Sequence, residues 1–324
     1  MSDATDPPVG GPAAATQAAT VAAVGGLDSQ GARLMRVATY ASVAVALVLI
    51  GIKFAAWTMT ESVSLLSTLI DSMLDALASI VNLIAIHHAL QPADREHRFG
   101  HGKAEPLAGL AQAAFICGSA AFLLLEAGER LIHPKAITNT DVGYAVMGIS
   151  IVLTVALVVF QRYVVRRSGS LAIGADSLHY QTDVMINISV IVSLYIASEF
   201  GISYADPLFA VAIAGYIVVG AVKIGKQSLD ILMDKELADA ERARIREIVT
   251  RHADVHGMHD LRTRSSGAQV FIQMHVEMAP DMTLLQAHDV TDAVTADLLA
   301  VYPNAEIIIH EDPEGLEEDR AVFR

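Results

Sequence analysis

Two short stretches place chemically capable residues in apolar surroundings. "LIDSMLDALAS" carries Asp71 and Asp75, and "SLHYQTDVMINI" carries His179 and Asp183. In each pair the residues are four apart, which on a helix puts both side chains on one face. Two such faces turned towards each other present three carboxylates and one imidazole. Four N/O donors on adjacent turns suit a tetrahedral site for a borderline divalent metal such as Zn²⁺, and three carboxylates also admit Fe²⁺, Mn²⁺ or Cd²⁺. Each charge near a bilayer centre costs about 2.5–3.5 kcal/mol on insertion scales, so three carboxylates there call for a cation. Lys53 is read as snorkelling from the outer end of its helix, which leaves no lysine or arginine at their depth. Asn82 and Asn187 read as helix-packing contacts.

Two further groups have ligand character. The segment "PADREHRFGHGKAE" offers Asp94, His97 and His101, whose spacing of three then four gathers them on one side if the segment is helical. Exposed histidines without a chemical role are an equal reading of that spacing. Towards the C-terminus lie His259, His275, His288, His310 and Asp312. His310 and Asp312 alternate in "IIIHEDP" and so share a strand face. These residues suit two bound metals, with scattered surface histidines as the competing reading. The single cysteine, Cys117, sits in an apolar run and excludes both an intrachain disulfide and a thiolate cage.

The elements that must carry these residues follow from composition. The chain is 53% hydrophobic and 18% charged with a mean hydropathy of +0.45, the profile of a polytopic membrane protein. Six apolar stretches reach the roughly 20 residues a crossing needs: 37–57, 63–90, 105–131, 142–161, 171–198 and 207–229. The break "TMTE" is so short that the first two must form an antiparallel hairpin. "QRYVVRRSG" at 161–169 reads as another break. Arg33, Arg36, Arg95, Arg98, Lys103, Arg162, Arg166, Arg167, Lys223 and Lys226 fall on one side of this arrangement, against Arg130 and Lys135 on the other. That asymmetry places both termini in the cytoplasm. Residues 1–32, rich in Ala, Gly, Pro and Thr, read as a disordered cytoplasmic tail without a signal peptide.

The formal charge of −14 is unevenly spread. From Asp234 to Arg324 there are 19 acidic and 9 basic residues, a net of −10. A water-soluble acidic part excludes nucleic acid as a partner and favours cations. Its pattern predicts helix 238–252, strands 256–264 and 268–278, helix 283–301 and strand 304–312. In "QVFIQMHVEM", Val270, Ile272, Met274 and Val276 alternate with Phe271, Gln273, His275 and Glu277, an apolar face against a polar one. The expected fold class is six transmembrane helices (33–232) plus a small α+β cytosolic domain of αββαβ order (233–313), followed by a charged tail (314–324).

Taken together, DxxxD at 71–75, HxxxD at 179–183, "HRFGHGKAE", "HDLRTRSSG", "FIQMHVEM" and "IIIHEDP" resemble the cation diffusion facilitator family, close to its bacterial zinc/iron efflux type. The resemblance runs from about Arg33 to Pro313. It implies that Asp71, Asp75, His179 and Asp183 form the transport site and that Asp94, His97 and His101 form a loop site. It implies that His259, His275, His288, His310 and Asp312 form a binuclear cytosolic cluster supporting a homodimer. Lys103 and Asp234 would be a charge pair linking the cytoplasmic ends of helices 3 and 6. The family exports metal against protons as a secondary transporter in the bacterial inner membrane, with no prosthetic group. Glu311 departs from the family pattern, where relatives often have Gln, and the N-terminal tail is unmatched.

Chemistry supports that expectation. Metal binding needs a neutral imidazole and ionised carboxylates, so metal and protons compete for the same atoms. A membrane-embedded metalloenzyme would carry a general base beside an open metal position, as in HExxH, and no HExxH occurs. A channel would use weaker sites than paired DxxxD and HxxxD. One His with three Asp does not choose among Zn²⁺, Fe²⁺ and Cd²⁺.

Overall fold

The computed structural model describes residues 29–61, 63–132, 141–200 and 204–315, in two compact units divided between Met233 and Asp234. The expectations for residues 1–28, for Lys135 and for 316–324 lie outside the described residues, as does the side chain of Arg130.

The first unit holds six long helices: α1 (Ser29–Thr60), α2 (Val63–Ala89), α3 (Ala104–Ile132), α4 (Asp141–Ser168), α5 (Leu171–Phe200) and α6 (Ala205–Leu232). Among the described residues, five are long and apolar enough to cross a membrane, and α5, with 30 residues, carries Asp176, His179 and Asp183. α1 and α2 reverse at Glu61, whose φ of +51° makes the sharp turn the short break requires. α4 does not stop at Gln161 as expected but runs through "QRYVVRRS". Gln161 and Val164 are fully buried there, Arg166 and Arg167 suit the negative end of the helix dipole, and Gly169 at φ +67° ends it.

α3 packs most extensively against α6, and small residues explain why. Ala113, Ala120, Ala214 and Ala221 line the contact, and a Cβ added at Gly109 would lie 2.9 Å from Ser228 Oγ. Without a hydrophobic drive between helices in lipid, such close backbone approach supplies the association. α5 is seated by its N-terminal end: Glu105 on α3 accepts the Leu171 N–H at 2.9 Å, and Ser170 Oγ accepts that of Ile173 at 3.2 Å. Phe122, Leu125, Val152 and Val219 face outward, a surface suited to lipid chains.

The second unit orders as α7 (Asp239–Thr250), β1 (Gly257–Ser266), β2 (Gln269–Met278), α8 (Leu284–Val301) and β3 (Ala305–Pro313). The sheet order is β1-β2-β3, with β2 antiparallel to β1 and parallel to β3, so α8 is the crossover a parallel pair needs. Ile245, Ile248 and Val249 of α7 and Val294 and Leu298 of α8 close over Val270, Ile272, Met274 and Val276, the face that alternation assigned to the core. Phe271 is buried too, although the alternation puts it on the polar face. The Arg264 guanidinium covers its ring, 4.5 Å from the centroid. Thr283 caps α8 through a capping box with Gln286.

α7 and α8 are tied by Tyr302 Oη donating to Glu241 Oε2 at 2.6 Å, both residues buried. Burial, and then the bond to Glu241, push the Tyr302 phenol above its usual range. Tyr302→Phe removes the donor and leaves a carboxylate oxygen buried. It is expected to destabilise the protein by about 1.5–3 kcal/mol, read as a lower unfolding midpoint of this unit in denaturant.

Candidate metal centres

In the membrane unit, α2 and α5 bring Asp75, His179 and Asp183 together, one ligand atom of each lying within 4.8 Å of the others. His179 Nε2 is 2.8 Å from Asp75 Oδ1 and 4.0 Å from Asp183 Oδ2. The imidazole is buried, with the Phe115 ring edge-on at 5.8 Å and Tyr180 at 5.6 Å. Asp71, one turn from Asp75 on α2, is not drawn into this group and is exposed. Three of the four expected donors therefore converge, and the fourth stands one turn away. Asn82 donates to Ala172 O at 3.4 Å across to α5, a packing contact between helices, whereas Asn187 donates to Asp183 O at 2.8 Å within its own helix.

Lys53 departs from the expectation of a snorkelling residue. Its Nζ donates to Ser72 Oγ at 2.6 Å and to Thr68 O at 3.1 Å. Ser72 adjoins Asp71, so a cation does stand at the depth of the carboxylates. The physical reason is that α1 and α2 are neighbours in a tight hairpin. Thr68 O and Ser72 Oγ on α2 then lie within hydrogen-bond reach of the ammonium.

The loop group also assembles, by other means than expected. Residues 91–103 form turns rather than a helix. Asp94 Oδ1 accepts the backbone N–H groups of His97 at 2.6 Å and Glu96 at 2.9 Å, an Asx turn that folds the chain back. His97 Nδ1 lies 3.4 Å from Asp94 Oδ1, and His101 Nε2 lies 3.4 Å from Asp94 Oδ2. The His97 N–H, chief among its partners, holds the Asp94 carboxyl below the usual carboxylate range. The carboxylate thus stays charged, and able to meet a cation, at lower pH than an unrestrained aspartate.

In the second unit, register does what spacing could not. His259 pairs with His275 across β1 and β2, and His275 with His310 across β2 and β3. The three imidazoles form a row on the face away from the helices, with ring centroids 5.0 and 4.6 Å apart. Asp312, buried, lies 2.8 Å from His275 Nδ1, 3.2 Å from His310 Nε2 and 3.5 Å from His259 Nε2. One ligand atom each from His259, His275 and Asp312 falls within 4.8 Å. Both ring nitrogens of His259 are buried without a hydrogen-bond partner, although Glu277 Oε1 is only 3.2 Å away. Orphaned buried nitrogens beside carboxylates fit a divalent metal better than a hydrogen-bonded network. His288 stands apart on α8, exposed and 3.6 Å from Asp292.

Comparison with known proteins decides the family. Residues 39–233 match the cation efflux transmembrane domain and residues 237–314 the cytoplasmic domain of cation efflux proteins. The chain belongs to the cation efflux, or cation diffusion facilitator, family. It is 47% identical over 283 residues to the cation-efflux pump FieF of Shewanella oneidensis, covering 87% of this chain and 95% of that one. It is 45% identical over 287 residues to FieF of Serratia proteamaculans, covering 89% and 95%. Among solved structures, the metal-bound C-terminal domain of the CzcD transporter from Thermotoga maritima is 28% identical. It covers 25% of this chain and 99% of that chain, with a TM-score of 0.24.

One buried acidic residue near the α2–α5 site is not singled out by the sequence. Asp176 on α5 is buried and gathers donors from four other helices. Ser42 of α1 donates to Oδ2 at 2.7 Å and Gln161 of α4 at 2.6 Å, while Gln112 of α3 and Ser79 of α2 reach Oδ1 at 3.2 and 3.5 Å. Tyr180 closes the network, its hydroxyl 2.9 Å from Ser79 Oγ. The signal was present: Asp176, His179 and Asp183 stand at i, i+3 and i+7, one helical face. As for the expected pair, Lys103 donates to Leu232 O at 3.5 Å, and Asp234 lies 3.4 Å from Arg264 in the second unit. Glu311, the departure from the family pattern, accepts from Thr291 Oγ1 at 3.2 Å, fastening β3 to α8.

Proposed function

We propose that this membrane protein exports a divalent transition-metal cation from the cytoplasm in exchange for protons, with Zn²⁺ the first candidate and Fe²⁺ or Cd²⁺ the alternatives. The observation that carries the reading is the convergence of Asp75, His179 and Asp183 within 4.8 Å on two long apolar helices. Asp71, on the adjacent turn, is the fourth donor in this proposal. Metal binding requires the imidazole free of its second proton and the carboxylates ionised, so loading releases protons and reprotonation expels the metal. The site alternates between cytosol and exterior by rocking of helices about a midplane site. Each elementary charge moved inward across 100 mV contributes about 2.3 kcal/mol. The name cation-efflux pump, borne by relatives 45–47% identical, supports the outward direction.

The remaining assignments complete the proposal. The chain works as a homodimer in a bacterial inner membrane with both termini cytoplasmic. His259, His275, His288, His310 and Asp312 hold ions in the cytosolic domain that stabilise the dimer, and Asp94, His97 and His101 hold one at the loop. Lys103 and Asp234 act as a charge pair at the cytoplasmic ends of α3 and α6.

The purified full chain in sealed vesicles tests the function. Zn²⁺, Fe²⁺ and Cd²⁺ fluxes are measured with and without an imposed pH gradient, and internal pH is followed. Uphill flux of at least one metal with opposite proton movement is expected. Flux that ignores the proton gradient would sink the antiport. His275→Ala should weaken zinc binding to the cytosolic domain by roughly tenfold or more and lower the dimer fraction in sedimentation, while part of the flux survives. Unchanged binding would remove His275 from the cluster.

A further inference from the structure

We infer that Lys53 is a tethered counter-charge of the intramembrane site, a positioning residue that sets how tightly a divalent cation is held and how readily it leaves. The inference rests on the metal-exchange reading above. Lys53 is a half-buried ammonium within α1, turned towards α2. Its hydrogen bonds go to neutral oxygens, Ser72 Oγ at 2.6 Å and Thr68 O at 3.1 Å. The charge therefore stands beside the carboxylates without blocking them. Its electrostatic partners are Asp75 first, then Asp183 and Asp71. Asp71, in turn, interacts electrostatically with Asp75, Lys53 and Glu126. The one cation among these groups interacts electrostatically with all three candidate carboxylate ligands.

Charge balance gives this arrangement a consequence. Three carboxylates and one ammonium leave two net negative charges, the amount one divalent cation cancels. The loaded site is then neutral, and a neutral site is the cheapest one to carry through a low-dielectric conformational change. Without the ammonium, a loaded site retains one negative charge. The cation is held more strongly and is released more slowly.

Lys53→Gln separates charge from structure, because the amide keeps a donor for Thr68 O and Ser72 and removes only the charge. Zinc flux is measured in vesicles holding the full chain, unaltered, K53Q and K53R. In K53Q, KM for Zn²⁺ is expected to fall roughly tenfold, the scale of losing a unit charge several ångströms away at intermediate dielectric. Its kcat falls with it. K53R, which keeps the charge, stays within about twofold of the unaltered chain in both. A K53Q variant with unchanged or raised KM overturns the inference while leaving the metal-exchange reading intact. A tenfold fall of KM in K53R overturns it as well, and decides the matter should K53Q fail to fold. Absence of zinc-dependent flux in the unaltered chain, with Fe²⁺ and Cd²⁺ equally inert, sinks the proposed function and the inference with it.

Discussion

Asp75→Ala is expected to lower metal flux into vesicles by more than about a hundredfold and to abolish what remains of its response to a pH gradient. The substitution removes a carboxylate from the converging group and takes away the Asp75 Oδ1 that stands 2.8 Å from His179 Nε2. With that partner gone, the imidazole loses the contact that orients it across the α2–α5 interface. Losing even an orienting partner of a metal ligand costs about 10–100-fold, and here a proposed ligand and an orienting contact go together. In the proposed exchange the atoms that bind metal are those that exchange protons, so the pH response is expected to disappear with them. Size-exclusion behaviour and helix content should match the unaltered chain, because Asp75 is only partly buried and makes no other side-chain hydrogen bond among the described residues. Flux and pH dependence equal to those of the unaltered chain would disprove the site.

The second large effect concerns folding. Asp176→Leu should cost more than about 3 kcal/mol, seen as a sharply reduced yield of folded protein and a lower unfolding temperature in detergent. Interhelical hydrogen bonds in membranes average only about 0.6 kcal/mol when removed singly. Here Ser42, Ser79, Gln112 and Gln161 all lose one shared acceptor at the meeting point of five helices. Ser42 and Ser79 keep contacts to Ala38 O and to the Tyr180 hydroxyl, but Gln112 is buried and loses its acceptor, and a buried donor left unpaired costs about 1–3 kcal/mol. Asp176→Asn should recover most of the loss. Gln161 Oε1 is buried without a partner, so turning that amide offers the new Asn an acceptor. An Asp176→Leu protein that unfolds within a degree of the unaltered chain would show that the network is dispensable.

What could be read from the residues alone was set by periodicity and charge. Apolar length located the helices, because a bilayer admits few other structures. The four-residue spacing of Asp71/Asp75 and His179/Asp183 placed each pair on one helical face, and alternation in "QVFIQMHVEM" chose the buried side of β2. Spacing within one element says nothing about which elements meet, and there the tertiary structure decided. It drew Asp75, His179 and Asp183 together and left Asp71 a turn away, since side chains on adjacent turns reach a facing helix at different heights. It turned Lys53 inward, because the α1–α2 hairpin sets α2 oxygens within the reach of its stem. It carried α4 past Gln161 because that amide has an acceptor on α5, a partner fifteen residues on that no local pattern reveals. It also aligned His259, His275 and His310 in one row, which depends on strand register and therefore on the packing of whole strands.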